Sequence, residues 1–184
     1  MVDNPCKVLT PEFRVSFPNV FKPKSSFEGQ PEKYNCVMLF DKATDISALK
    51  KAAKLAIAKK WGDKVPKGLH NPFKDGDEKD YDGYEGCIYV NASSIQKPGL
   101  VDANVEPIIS QGDFFAGCYA RATVVAYAFE NKLKKGVSFD LLNIQKIRDG
   151  EPFGFSRPKA EDDFEAIEGG SEDETSYADD DLPF

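Results

Sequence analysis

Hydrophobic and polar positions alternate in short runs along most of this chain, and over residues 45–61 they change to helical spacing. The alternating runs predict strands at 6–17 (interrupted at Pro11), 34–41, 87–93, 114–130 and 136–147. Between the second and third, Asp45 is placed to cap a helix with apolar positions Ile46, Leu49, Ala53, Ile57 and Trp61, stopping at Gly62. Residues 19–33 and 62–86 are rich in turn formers and charge and read as loops. Five strands with one main helix, the last pair joined by the turn NKLKKG, predict a mainly β chain built as a five-stranded OB-type barrel. Apolar content falls away after RDGEPFGFSRP. The expected organisation is therefore a barrel domain over 1–158 and a disordered acidic tail over 159–184.

The run 114–130 carries the most chemistry. One parity (Phe114, Ala116, Cys118, Ala120, Ala122, Val124, Ala126, Ala128) is apolar and mostly small, as the crowded interior of a narrow barrel requires. The other parity holds Phe115, Tyr119, Arg121, Tyr127 and Phe129, large rings around an arginine. An outward row of rings serves either as a stacking platform for bases or as packing under a helix or a second subunit, and the strand by itself leaves both open. On the stacking reading, Phe115, Tyr119, Arg121 and Tyr127 bind a single strand. Tyr89 extends the platform, and Lys22, Lys24, Lys97, Lys132, Lys134 and Lys135 follow the phosphates.

Charge sharpens the division. The formal net charge is −7, but residues 161–184 hold eleven acidic side chains and no Lys or Arg. Residues 1–160 therefore keep 24 basic against 20 acidic residues, a net of +4. A basic body with an acidic end fits a polyanion ligand for the body and argues against an acidic mimic of DNA. Cys6, Cys36, Cys87 and Cys118 are far apart, with no CxxC pair, and read as reduced, buried thiols of a cytoplasmic protein without a signal peptide. No apolar run is long enough to span a membrane.

Several apparent sites fail. The acidic stretch 75–86 mimics a calcium loop, but aligning Gly83 with the loop glycine puts Tyr89 where a bidentate Glu is required. His70 has no Cys or His neighbours in sequence, and no nucleotide-binding or hydrolase motif is present. No catalytic residue, metal site or cofactor is expected. A nuclease using scattered carboxylates is the rival from another class.

The chain ends in Asp179, Asp180, Asp181, Leu182, Pro183 and Phe184. This DDDLPF resembles the DDDIPF tip of bacterial single-stranded-DNA-binding proteins. The segments YVNASSIQKPGLVD (89–102) and GCYARATVVAYAFENKLKKGVSFDLLNIQKIRDGEPFG (117–154) resemble a family of tailed-phage single-stranded-DNA-binding proteins. The resemblance implies an OB fold that binds single strands during phage replication, recombination and repair in the bacterial cytoplasm. It also implies a tail recruiting a polymerase, helicase or primase, and leaves association into homo-oligomers open. A flexible −11 segment tethered to a basic body also competes with DNA for it, at an effective concentration of roughly millimolar order.

Overall fold

In the computed structural model, residues 4–25 and 27–153 are described, and all belong to one compact unit, Met1–Gly154. The expected boundary at Pro158, the acidic tail and its DDDLPF end lie outside the described residues. The elements are β1 (Lys7–Leu9), β2 (Phe13–Lys24), β3 (Lys33–Asp41), α1 (Ser47–Trp61), β4 (Lys74–Asp75), β5 (Cys87–Ser94), β6 (Gly99–Val101), β7 (Tyr119–Glu130) and β8 (Lys135–Arg148).

Strand pairing closes a ring. β2 pairs with β3 and β7, β3 with β5, β5 with β8 in parallel, and β8 with β7. The five strands β2-β3-β5-β8-β7 thus form a barrel of the OB type, with one parallel junction among antiparallel ones. β1 adds to the β7 edge, β6 to β8, and β4 to β5.

The interior follows the predicted parity. Ala120, Ala122, Val124 and Ala126 of β7 are all buried, at 3% exposure or less. They face Phe139, Leu141 and Ile144 of β8 and Phe13, Val15, Met38 and Phe40 from β2 and β3 within one core. Phe13 and Phe40 meet edge to face at 5.7 Å. Small residues on one strand leave room for these rings, each worth about 1.5–3 kcal/mol when fully buried.

α1 forms where its spacing predicted. Asp45 accepts the Ser47 N–H at 2.9 Å, one residue ahead of the N-cap position at Ile46, while Lys59 and Lys60 occupy the last turn. Gly62, at φ 57, supplies the left-handed stop. Leu49, Ala52, Ala53 and Ala56 are the buried face against β7 and β8. Trp61, expected on that face, instead donates its indole N–H to Glu130 at 3.3 Å.

Three expectations need correction. Residues 19–24 are not loop. The strand crosses Pro23 because a proline without an N–H is tolerated where β2 pairs irregularly with β3, between Asn19 and Lys24. The connection 62–86 contains β4 and a 3-10 turn at Gly76–Glu78. β7 begins at Tyr119 rather than Phe114, because the chain turns at Gly117, where φ is 111. A Cβ there would overlap the backbone of Glu151.

All four cysteines are free. Burial raises the thiol pKa of Cys36 and Cys118, which keeps both protonated and unreactive.

Candidate nucleic-acid interface

The outer face of β2, β3 and β5 carries a groove of about 820 Å³. Its floor comes from the outward parity of the strands: Phe17 and Asn19 of β2, Lys33, Asn35 and Val37 of β3, and Tyr89, Asn91 and Ser93 of β5. One wall is formed by Ser25, Gln30 and Pro31 beyond Lys24, and the other is an arm, residues 74–86, presenting Lys74, Lys79, Tyr81 and Tyr84. Four lysines line this groove, and no Asp or Glu does among the described residues.

Aromatic rings form a continuous ladder across it. Phe17 meets Tyr81 at 5.5 Å, Tyr81 meets Tyr84 at 5.3 Å, and Tyr84 meets Tyr89 at 5.3 Å. Exposure separates their roles. Phe17 (50%) and Tyr81 (53%) offer free ring surface, whereas Tyr84 (2%) is buried support. The Tyr84 hydroxyl is 2.9 Å from Ser16 Oγ, a hydrogen bond buried behind the ladder. Burial raises the Tyr84 pKa and the Ser16 bond opposes that, so the phenol stays neutral at physiological pH.

Phe17 is aimed by backbone strain. Its φ is 43, in the left-handed region, at a register shift between Ser16 and Asn19 in the β2–β3 pairing. An irregularity of this kind bends the strand and redirects a side chain, and a non-glycine residue in this region is costly. Beside it a row of amides crosses three strands: Asn19 Nδ2 donates to Asn35 Oδ1 at 2.9 Å, and Asn35 Nδ2 to Asn91 Oδ1 at 3.3 Å. The row gives the floor donors and acceptors without net charge.

The arm is fastened at its base. Lys42 Nζ bridges Asp75 at 2.9 Å and Asp77 at 2.5 Å. Asp75 accepts the N–H of Asp77, and Asp77 accepts that of Gly86. These backbone bonds first, and Lys42 second, hold both carboxyls below the usual carboxylate range, and the two aspartates hold the Lys42 ammonium above its own. The stretch that mimics a calcium loop thus engages Asp75 and Asp77 in arm geometry. Among the described residues, no group of three His, Cys, Asp or Glu is placed to hold a metal.

The structure brings only part of the sequence-predicted site together. Lys24 and Tyr89 line the groove. Lys22 is exposed on β2, and Lys97 is exposed in the β5–β6 turn, neither lining it. Phe115 precedes β7 and packs partly buried on the core, with Lys146 over its ring at 5.3 Å. Tyr119 has the guanidinium of Arg148 at 3.8 Å and that of Arg14 at 5.7 Å from its ring centre. Arg121 donates to Gln145 at 2.8 Å. Tyr127 is partly exposed beside Phe129. Lys132, Lys134 and Lys135 surround a separate hollow at the β7–β8 turn with Glu130 and His70. The outward face of β7 is therefore not one open row, because Phe115 is off the strand and Tyr119 and Arg121 have partners. Phe17, Tyr81, Lys33, Lys74 and Lys79 escaped sequence reading. Residues 34–41 did carry a usable signal, with Asn35 and Val37 on one parity and Cys36, Met38 and Phe40 on the other.

Comparison with known proteins places this geometry in context. The chain is 33% identical to the protein p50 of Acyrthosiphon pisum secondary endosymbiont phage 1, covering 91% of this chain and 97% of that one. It superposes with a TM-score of 0.73 on the single-stranded DNA-binding protein of bacteriophage Enc34 solved in complex with single-stranded DNA. That match is 24% identical and covers 81% of this chain and 90% of the other. A more distant likeness is gp2.5, a single-stranded DNA-binding protein encoded by bacteriophage T7, at TM-score 0.54 and 10% identity over 88% of this chain and 98% of that one. The family model for the single-stranded DNA-binding protein of Enterobacter phage Enc34 matches residues 6–176, nearly the whole length, and the chain belongs to that family.

Proposed function

We propose that this protein binds single-stranded DNA without sequence selection, across the β2–β3–β5 groove rather than along the outer face of β7. The observation that supports this most is the pairing of rings, exposed at Phe17 and Tyr81 and half-buried at Tyr89, with lysines in a groove that no Asp or Glu lines among the described residues. Phe17, Tyr81 and Tyr89 offer faces on which bases stack, while Lys24, Lys33, Lys74 and Lys79 meet phosphates. Every base has a π-face and every nucleotide a phosphate, so neither contact reads base identity. Stacking on these rings requires unpaired bases, because a duplex hides the faces of its bases.

The role extends beyond the groove. The protein acts as a non-catalytic single-strand binder in phage replication, recombination and repair within the bacterial cytoplasm. Its acidic tail competes with DNA for the basic body and, through Asp179–Phe184, recruits replication enzymes such as a polymerase, helicase or primase. The terminal ring and α-carboxylate of Phe184 suit a pocket with a basic rim.

The test is incubation of labelled single and double strands with the protein, with and without magnesium. A single-strand shift without cleavage supports the reading. Magnesium-dependent cleavage supports a nuclease instead, and equal affinity for duplex removes the groove argument.

A further inference from the structure

The arm that walls the groove is held at its base by Lys42, but its far turn rests on a residue from the other end of the domain. Gly83 has φ 81, and a Cβ built on it would overlap the ring of Phe153. Phe153 therefore sits against the glycine backbone, between Tyr81 and Tyr84 in the sequence of the arm. The face of the ring meets the Arg14 guanidinium, whose carbon is 4.0 Å from the ring centre. Arg14 is anchored in turn, with Nε donating to Gly117 O at 3.1 Å and a terminal nitrogen to Glu151 O. The Phe153 N–H donates to Ala116 O at 3.0 Å, fixing the segment in place. Arg14 lies on β2 three residues before Phe17. One ring thus touches the arm at its tip and, through Arg14, the strand of the groove floor at its face.

We propose that Phe153 is a positioning residue for the DNA groove, a clasp that holds the Tyr81–Tyr84 turn of the arm at the distance from β2 needed for the ring ladder. This rests on the groove being the DNA site. Phe153 is not itself among the groove-lining side chains, so it acts through the arm. A consequence concerns the acidic segment, which begins a few residues later: cutting the chain beyond Phe153 and cutting it before Phe153 have different effects. The first removes the acidic segment and leaves the clasp, and the second also frees the arm.

The experiment measures affinity for a labelled oligo-dT by anisotropy in the full-length protein. It compares Phe153→Ala, Gly83→Ala and Lys79→Ala/Tyr81→Ala, the last also combined with Phe153→Ala. Phe153→Ala and Gly83→Ala attack the two halves of the clasp, so either one that stays folded by circular dichroism suffices. We expect each to weaken binding roughly three- to tenfold, part of the worth of one stacked base. In the Lys79→Ala/Tyr81→Ala background, adding Phe153→Ala should cost little more, because the groups it positions are gone. Unchanged affinity in the clasp variants, or an equal loss in both backgrounds, overturns the clasp. If Lys79→Ala/Tyr81→Ala itself binds like the parent, the groove reading fails first and takes the clasp with it.

Discussion

The Tyr84 hydroxyl and Ser16 Oγ lie 2.9 Å apart with both side chains buried, joining the arm of residues 74–86 to β2. Phe17, the next residue, is turned out into the groove by its left-handed backbone. A buried polar pair of this kind specifies position, because breaking one partner strands the other. Tyr84→Phe should therefore cost about 1–3 kcal/mol of stability in urea unfolding. The double variant Ser16→Ala/Tyr84→Phe should recover part of that loss, since neither partner remains unsatisfied.

The two aromatic surfaces are separable by mutation. Phe17→Ala and Tyr81→Ala should each weaken single-strand binding by ~1–3 kcal/mol while leaving the melting transition in place, as both rings are half exposed. Tyr119→Ala and Tyr127→Ala should leave affinity within about twofold, and Tyr119→Ala should lower stability by loosening Arg148. Titration of labelled oligo-dT together with thermal unfolding distinguishes these outcomes. The reverse pattern would restore the outer face of β7 as the site.

The arm should loosen at low pH. Asp75 and Asp77 have carboxyl pKa values held down in the folded protein, so their contribution is present above the unfolded value of about 4. It is lost as pH falls from there through the folded values. Hydrogen-exchange protection of the Asp77 and Gly86 amides, which these carboxylates bind, should fall in that window ahead of that of the core strands. Lys42→Met should bring the loosening on at higher pH. Arm protection that tracks the core through the whole window would contradict this.

The tail makes a charge prediction. Removing residues 161–184 takes the formal charge from −7 to +4. Single-strand affinity should rise, most at low salt, where electrostatic competition is least screened. Deleting Phe184 alone keeps all eleven acidic residues, so DNA affinity should hold while pull-down of a polymerase or helicase is lost. Equal DNA affinity with and without the tail would leave it no competitive role.

Much of the barrel was legible in the alternation of Ala120, Ala122, Val124 and Ala126, because a strand buried on one face has a strict period of two. The helix was legible because 3.6-residue spacing and Gly62 coincide. The groove was less so. Phe17 points where it does through a positive φ at an irregular pairing, which no periodicity encodes. Tyr81 and Lys79 stand on a charged connection that is tied through Lys42, Ser16 and Phe153, contacts distant in sequence. Tyr119 reads as a free ring until Arg148 is seen lying on it.

The most direct test of the groove is the salt dependence of single-strand affinity in two triple variants. Each neutralised phosphate contributes a slope of about −0.7 in log K against log salt for single strands. Lys33→Ala/Lys74→Ala/Lys79→Ala removes three groove cations and should flatten the slope by about 2. Lys132→Ala/Lys134→Ala/Lys135→Ala removes three at the β7–β8 turn and should leave it near that of the parent. A slope unchanged by the groove variant and flattened by the turn variant would contradict the account.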